Sequence, residues 1–266
     1  MIKNTKNNVV YFTFDSFSRL GLKHCFTSRT GGVSGGPQAS LNLSFARDSA
    51  ENVRKNYEII AGAVGFSAEN TVFTAQTHTT NVRRVGVGDR GKGFSRQSDF
   101  QDIDGLITDE PSVVLTAFSA DCALLFFYDP KNRAIALAHS GWRGTANGMA
   151  RAAAESLSEA FGSRPEDLVC GIGPCIHECC FEVGLDVAEE FAEKLPFSRN
   201  YISKSDTAGK FFVDLEGINA QALINAGVLP ENIEPAGLCA CCRPDLFYSH
   251  RRSGLDRGSM AAFLWL

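Results

Sequence analysis

Long hydrophobic runs are missing from this 266-residue chain. None approaches the ~18 consecutive apolar residues of a membrane-spanning helix, so no membrane role is expected. An excess of basic residues is missing as well. Lys and Arg number 26 against 30 Asp and Glu, for a net charge of −4, which gives no footprint for nucleic acid or an anionic membrane surface. The first fourteen residues, "MIKNTKNNVVYFTF", lack the apolar stretch and small-residue cleavage site of a secretion signal, which predicts a cytoplasmic protein. Internal repeats, low-complexity segments, charge runs and linkers are also lacking. A single domain over residues 1–266 is therefore expected, long enough to bury a large core. Histidine is scarce, at five residues.

Cysteine is abundant instead, with nine residues. In a reducing compartment they read as free thiols or metal ligands rather than a disulfide framework. Read in order, Cys175-x3-Cys179-Cys180 and Cys239-x-Cys241-Cys242 are expected to be small apolar packing residues, with a second metal site or a redox pair as the alternative.

Apolar, β-branched and aromatic runs predict strands at 8–14, 23–29, 71–78, 81–87, 104–109, 112–120, 122–129, 133–140, 168–173, 232–240 and 260–266. Apolar residues at helical spacing predict helices at 49–64, 146–161, 184–194 and 214–226. The mixture indicates an α/β (α+β) fold, a single domain of layered mixed sheets flanked by helices. At its centre, Asp129-Pro130-Lys131-Asn132 is a strong turn signal between two apolar runs. A two-residue hairpin loop pairing Asp129 with Asn132 would set Cys122 directly opposite His139. Both faces of this hairpin are apolar, so it is expected to be buried on both sides. A bulge or a longer loop would shift that register.

Opposed residues have Cβ atoms about 4.5–5.5 Å apart, close enough for a thiolate and an imidazole to share a metal ion or to act as a nucleophilic pair. His78 ends another apolar run in "AQTH" (75–78), with Gln76 on its face by strand alternation. Together His78, Cys122 and His139 make the His2Cys composition of a catalytic zinc site with one position open. Gln76 and Asp121 are further candidates for binding substrate or phosphate, with a supporting role or a cap as the alternative for Asp121. Gly141, Gly144 and Gly148 lead from the strand towards a helix, a turn that offers N–H groups to an anion. Arg143 within it suits phosphate, or else packs on Trp142. Arg29, before "TGGVSGG", is a second phosphate candidate, and "GIGP" (171–174) is a close-approach loop or a simple turn.

In order along the chain, "FTSRTGGVSGG", "SLNLS", "AQTH", "DIDGLITD", "SADC", "AHSGWRG", "GIGPCI", "CCFEVG" and "CRPDLFYSHRRSG" resemble the YfiH-like family. That family is labelled both purine nucleoside phosphorylase and multicopper polyphenol oxidase (laccase). The resemblance runs from about residue 24 to the end. It implies zinc held by His78, Cys122 and His139, and phosphorolysis of adenosine to adenine and ribose 1-phosphate. Inosine, guanosine and methylthioadenosine are implied as related substrates, and adenosine deamination is attributed to the same site. Nucleoside and phosphate are the expected partners, with the oligomeric state open. The implied fold is the layered one shared with a deamidating bacterial toxin, whose site is a Cys–His pair. Family links to peptidoglycan editing make a Cys122–His139 amidase the alternative activity. "SGLDRGSM" (253–260) departs from the family's usual "TGR" turn, which leaves Arg257 without an assigned role. A copper-dependent polyphenol oxidase is the remaining alternative. Its copper relay needs many histidines, commonly as H-x-H pairs, whereas this chain has five and no such pair. Copper can nonetheless compete for an N/S site.

Overall fold

The computed structural model describes residues 1–266. Its strands in chain order are β1 (Ile2–Lys6), β2 (Val9–Thr13), β3 (Lys23–Thr27), β4 (Thr71–Phe73), β5 (Val82–Arg84), β6 (Gly105–Thr108), β7 (Val114–Ser119), β8 (Ala123–Asp129), β9 (Ala134–Ser140), β10 (Val169–Ile172), β11 (Glu182–Gly184), β12 (Ile202–Lys204), β13 (Lys210–Val213), β14 (Ile233–Pro235) and β15 (Met260–Trp265). The helices are α1 (Asp15–Arg19), α2 (Ala50–Val64), α3 (Trp142–Ala146), α4 (Met149–Phe161), α5 (Leu185–Lys194), α6 (Leu215–Asn225) and α7 (His250–Ser253). Two six-stranded sheets, ordered β1-β2-β3-β15-β7-β4 and β14-β10-β8-β9-β6-β5, are joined by a small third sheet, β11-β13-β12.

Alternation along the strands builds the layers. Leu124, Phe126 and Tyr128 of β8 and Ile135 and Leu137 of β9 meet Phe12, Phe26, Leu115, Ala117, Ala262 and Leu264, so one core fills the space between the large sheets. The intervening residues, Ala123, Leu125, Phe127, Ala134, Ala136 and Ala138, face outward and pack on α4 and α6. On the far side, Cys25, Val114, Ala261 and Phe263 are covered by Val53, Tyr57 and Ile60 of α2. Ser49 caps α2 by accepting the Asn52 N–H, and Gly65 ends it at φ 96°.

The hairpin is buried on both faces as its sequence predicts, but its register is two residues longer. Asp129 pairs with Ala134 and Leu124 with His139. Asp129 Oδ1 accepts the N–H groups of Lys131 and Asn132, and Arg133 takes φ 52°, so the loop runs over 130–133. Because the shift is even, Cys122 and His139 keep the same side. The helix expected at 146–161 breaks at Asn147–Gly148, where Gly148 takes φ 87°. The strand expected at 71–78 stops at Phe73. Strands β1, β11, β12 and β13 fall outside every predicted run.

His24 is 3 % exposed. Its Nε2 accepts the Phe14 N–H at 2.7 Å, and its Nδ1 lies 3.0 Å from the Leu22 carbonyl, which fixes a neutral ring. Burial lowers its pKa to about 4. In the unfolded chain an ordinary imidazole takes a proton below about 6.5, so the neutral ring favours folding fully above that value. The advantage declines as pH falls, by up to about 3 kcal/mol once pH reaches the folded value. Denaturant titrations between pH 7 and pH 4.5 are expected to show a steeper loss for the wild type than for His24→Gln; equal slopes would remove His24 from the account.

Candidate active site

The two large sheets are linked by tight crossings, and two of the three sequence-predicted ligands sit in them. Ala120-Asp121-Cys122 carries the chain from β7 in the first sheet to β8 in the second. Asp121 makes the corner at φ 105°, a conformation an L-residue holds only under constraint. Its Oδ2 supplies that constraint by accepting the Arg251 N–H at 2.6 Å. The segment after β4 crosses the same way and places His78, itself at φ 67°, in a loop rather than at a strand end. His139 lies near the end of β9, beside both. The ligand atoms of His78, Cys122 and His139 all lie within 4.8 Å of one another.

Asp104, to which the sequence assigns no role, organises this group. It is fully buried just before β6. Its Oδ1 accepts from His139 Nδ1 at 2.8 Å and from the His78 N–H at 3.1 Å. Its Oδ2 accepts the N–H groups of Thr77 and Thr79 and the Thr79 hydroxyl. Its backbone carbonyl accepts the His139 N–H. One carboxylate therefore shapes the His78 loop and fixes the tautomer of His139, leaving Nε2 for the centre. Burial alone would raise its pKa, but the bonds from His139, Thr77 and Thr79 outweigh burial and hold it near 2. Burial would likewise lower the pKa of His139, yet the sulfur charge of Cys122 and the Asp104 carboxylate raise it to about 9. Burial, then the neighbouring His139, lowers that of His78.

Two imidazoles and a thiolate suit a divalent metal of the zinc–copper type, and the surroundings fit one. A Cβ on Gly141 would stand 2.8 Å from His78 Nδ1 and 2.9 Å from Cys122 Sγ, so glycine is required where both ligands converge. Gly141→Ala is expected to weaken metal retention about tenfold or more against a competing chelator; unchanged retention would show that the ligands do not converge there.

His78 and Cys122 line a cavity of about 600 Å³, and His139 sits next to them behind its wall. Trp142, Ile176, Phe181, Val183 and Leu215 give it apolar walls, and Arg143, Lys210, His250, Arg251 and Arg257 give it basic groups. Arg143 lines the cavity and also stacks on Trp142, 4.2 Å from the ring centre. Two lining residues carry a buried atom without a hydrogen-bond partner, Oδ1 of Asp121 and Nε of Arg257. Burial raises the pKa of Asp121 and lowers that of Arg257.

Arg29 and Gln76 are placed differently from their sequence-based expectation. Neither is among the cavity-lining residues. Arg29 donates to the Ala39 and Pro244 carbonyls and lies over Tyr248. Gln76 bonds both the N–H and the carbonyl of Phe118, tying its loop to β7. The third sheet, which the sequence leaves undetected, supplies part of the cavity wall through Glu182, Val183 and Lys210.

Comparison with known proteins bears on this geometry. Residues 23–266 match the family described as multi-copper polyphenol oxidoreductase laccase. The chain is 36 % identical over 241 residues to the purine nucleoside phosphorylase YlmD of Bacillus subtilis, covering 90 % of this chain and 86 % of the relative. It is 35 % identical over 260 residues to a purine nucleoside phosphorylase of Bacteroides thetaiotaomicron, covering 97 % and 95 %. In structure it is similar to the hypothetical protein YfiH of Bacillus licheniformis, with a TM-score of 0.91 at 30 % identity, covering 99 % and 98 %. It also matches YlmD of Geobacillus stearothermophilus, with a TM-score of 0.87 at 31 % identity, covering 98 % and 97 %. The chain therefore belongs to the laccase-domain, YfiH-like family, whose curated relatives bear the name purine nucleoside phosphorylase.

Proposed function

We propose that the protein is a zinc-dependent purine nucleoside phosphorylase that converts adenosine and phosphate into adenine and ribose 1-phosphate. Inosine, guanosine and methylthioadenosine are its related substrates, and adenosine deamination is a second activity of the same site. The observation that carries this reading is the cavity itself, in which His78 and Cys122, with His139 next to them, share one space with apolar walls and a set of basic side chains. The names of the relatives support the phosphorylase over the oxidase.

Zinc bound by His78, Cys122 and His139 supplies Lewis-acid chemistry. Trp142 and Phe181 offer aromatic surface for the purine. Arg143, Arg257 and Lys210 offer donors for phosphate beside the ribose. Phosphorolysis forms a bond from a phosphate oxygen to C1′ as the C1′–N9 bond breaks, and the proton of hydrogen phosphate ends on the departing base. Holding the two anionic and apolar partners in line within one cavity is the chain's own contribution.

Chromatography of the products of adenosine, with and without phosphate, tests the proposal. Adenine is expected only with phosphate, and inosine in both samples if the deaminase activity shares the site. Adenosine unchanged in both would reject the reading.

One observation favours a second reading. Asp104, His139 and Cys122 form an orienter–base–nucleophile series, the arrangement of a cysteine amidase acting on peptide-like substrates. Zinc that is present in protein purified without added metal and lost on His78→Ala would count against it, because metal ligation at that group occupies the Cys122 thiolate.

A further inference from the structure

The second convergence of ligand-type side chains lies outside the cavity. The sulfur atoms of Cys179, Cys180, Cys239 and Cys242 all lie within 4.8 Å of one another. Cys242 Sγ is 3.4 Å from Cys179 Sγ and 3.3 Å from Cys180 Sγ. Cys179 and Cys242 are exposed, unlike the packing residues the sequence suggests, whereas Cys239 is buried in the core and the half-buried Cys180 packs against it. Cys25, Cys170 and Cys175 are wholly buried. In the chain, Cys239 and Cys242 stand at C-x-x-C spacing, masked by the intervening Cys241.

We propose that Cys179, Cys180, Cys239 and Cys242 form a structural tetrathiolate site for one divalent zinc ion, separate from the His78–Cys122–His139 group. Tetrahedral zinc with bonds of about 2.3 Å holds its sulfurs about 3.8 Å apart; the two shortest sulfur distances here, 3.3 and 3.4 Å, lie within about half an ångström of that, and none exceeds 4.8 Å. A disulfide would account for two of the four thiols and leave the convergence of the others without purpose. The backbone is arranged for ligation too. Cys175 and Cys239 form a backbone bridge, reinforced by the bond from the Ala240 N–H to the Cys175 carbonyl. The two cysteine segments are therefore already joined in register before any ion is bound.

The ion would brace the cavity wall. Ile176 and Phe181, on either side of Cys179–Cys180, line the cavity. Arg251 donates to the carbonyls of Cys180 and Glu182, and Arg252 to those of Ala240 and Cys241. Helix α7, whose Arg251 N–H holds Asp121 beside Cys122, is thus tied to both cysteine segments. Zinc release would free the wall and α7 together.

Cobalt titration of the metal-stripped full-length chain carrying His78→Ala and His139→Ala tests the site without the catalytic group. One equivalent of cobalt is expected, with intense thiolate-to-metal charge-transfer bands and the visible bands of a four-sulfur tetrahedral centre. Adding Cys179→Ser and Cys242→Ser to this variant should abolish that signal. In the wild-type chain the same two serines should lower zinc content by one equivalent. A double-histidine variant that folds, by circular dichroism, but binds no cobalt or gives a spectrum without sulfur would overturn the proposal. So would a disulfide among these four residues in protein purified without oxygen.

Discussion

His139→Ala is expected to reduce adenosine phosphorolysis by about a thousandfold or more. The expectation combines lost ligation, since two ligands no longer define an open tetrahedral site, with a loss of electrostatic stabilisation that costs 10²–10³ even for a single donor elsewhere. The substitution also removes the ring that answers Asp104. That carboxylate is fully buried and would keep only its bonds from the 77–79 loop, so some loss of stability accompanies the loss of activity. His139→Gln separates the two effects, since its amide can still donate to Asp104 while coordinating metal poorly. Product formation in His139→Gln near the wild-type rate would show that the imidazole is not part of the reacting centre.

Asp104→Asn is expected to have the next largest effect, a fall of 10–100-fold in metal retention and activity together. The amide keeps the size of the carboxylate but has one acceptor oxygen in place of two. Asp104 accepts five hydrogen bonds through its side chain; one amide oxygen cannot serve them all, and the NH2 group would face donors. His139 would lose its fixed tautomer and the His78 loop its shape. The measurement is a chelator competition alongside kcat and KM for adenosine. A fall in stability with unchanged metal affinity would reduce Asp104 to a structural residue. A fall in both identifies it as the residue that positions the ligands.

The importance of Asp104 was not legible in the sequence, although "DIDGLITD" was. Within that string an aspartate before a buried strand looks like any other strand-entry residue. Its five hydrogen bonds come from four residues about 25 to 35 positions away in the chain, and side-chain bonds to loop N–H groups leave no periodic trace. Cys122 and His139 were legible for the opposite reason. Each is a ligand-type residue at the end of an almost wholly apolar strand, where burial makes a polar side chain costly without a use. The register error at Asp129 left them on one face because the loop grew by two residues rather than one.

Arg29 and Gln76 show what local spacing leaves out. Both occupy motif-like positions near glycine or histidine, yet their polar atoms are spent on backbone carbonyl and N–H groups of distant segments. Nothing in local spacing distinguishes a phosphate ligand from a backbone clamp. Strands β11, β12 and β13 escaped notice because they are three or four residues long and mostly half-exposed or exposed. A run that short carries too little alternation to separate it from loop. The layered fold itself was readable, since its long strands alternate and α2 keeps one apolar face.

Removing and restoring metal in one preparation tests the central claim most directly. The protein is stripped with a chelator, shown to remain folded by circular dichroism, and assayed with adenosine and phosphate before and after zinc is returned. The account predicts no adenine or ribose 1-phosphate from the stripped protein and recovery of both in proportion to zinc bound at His78, Cys122 and His139. Undiminished phosphorolysis by the stripped, folded protein would contradict it.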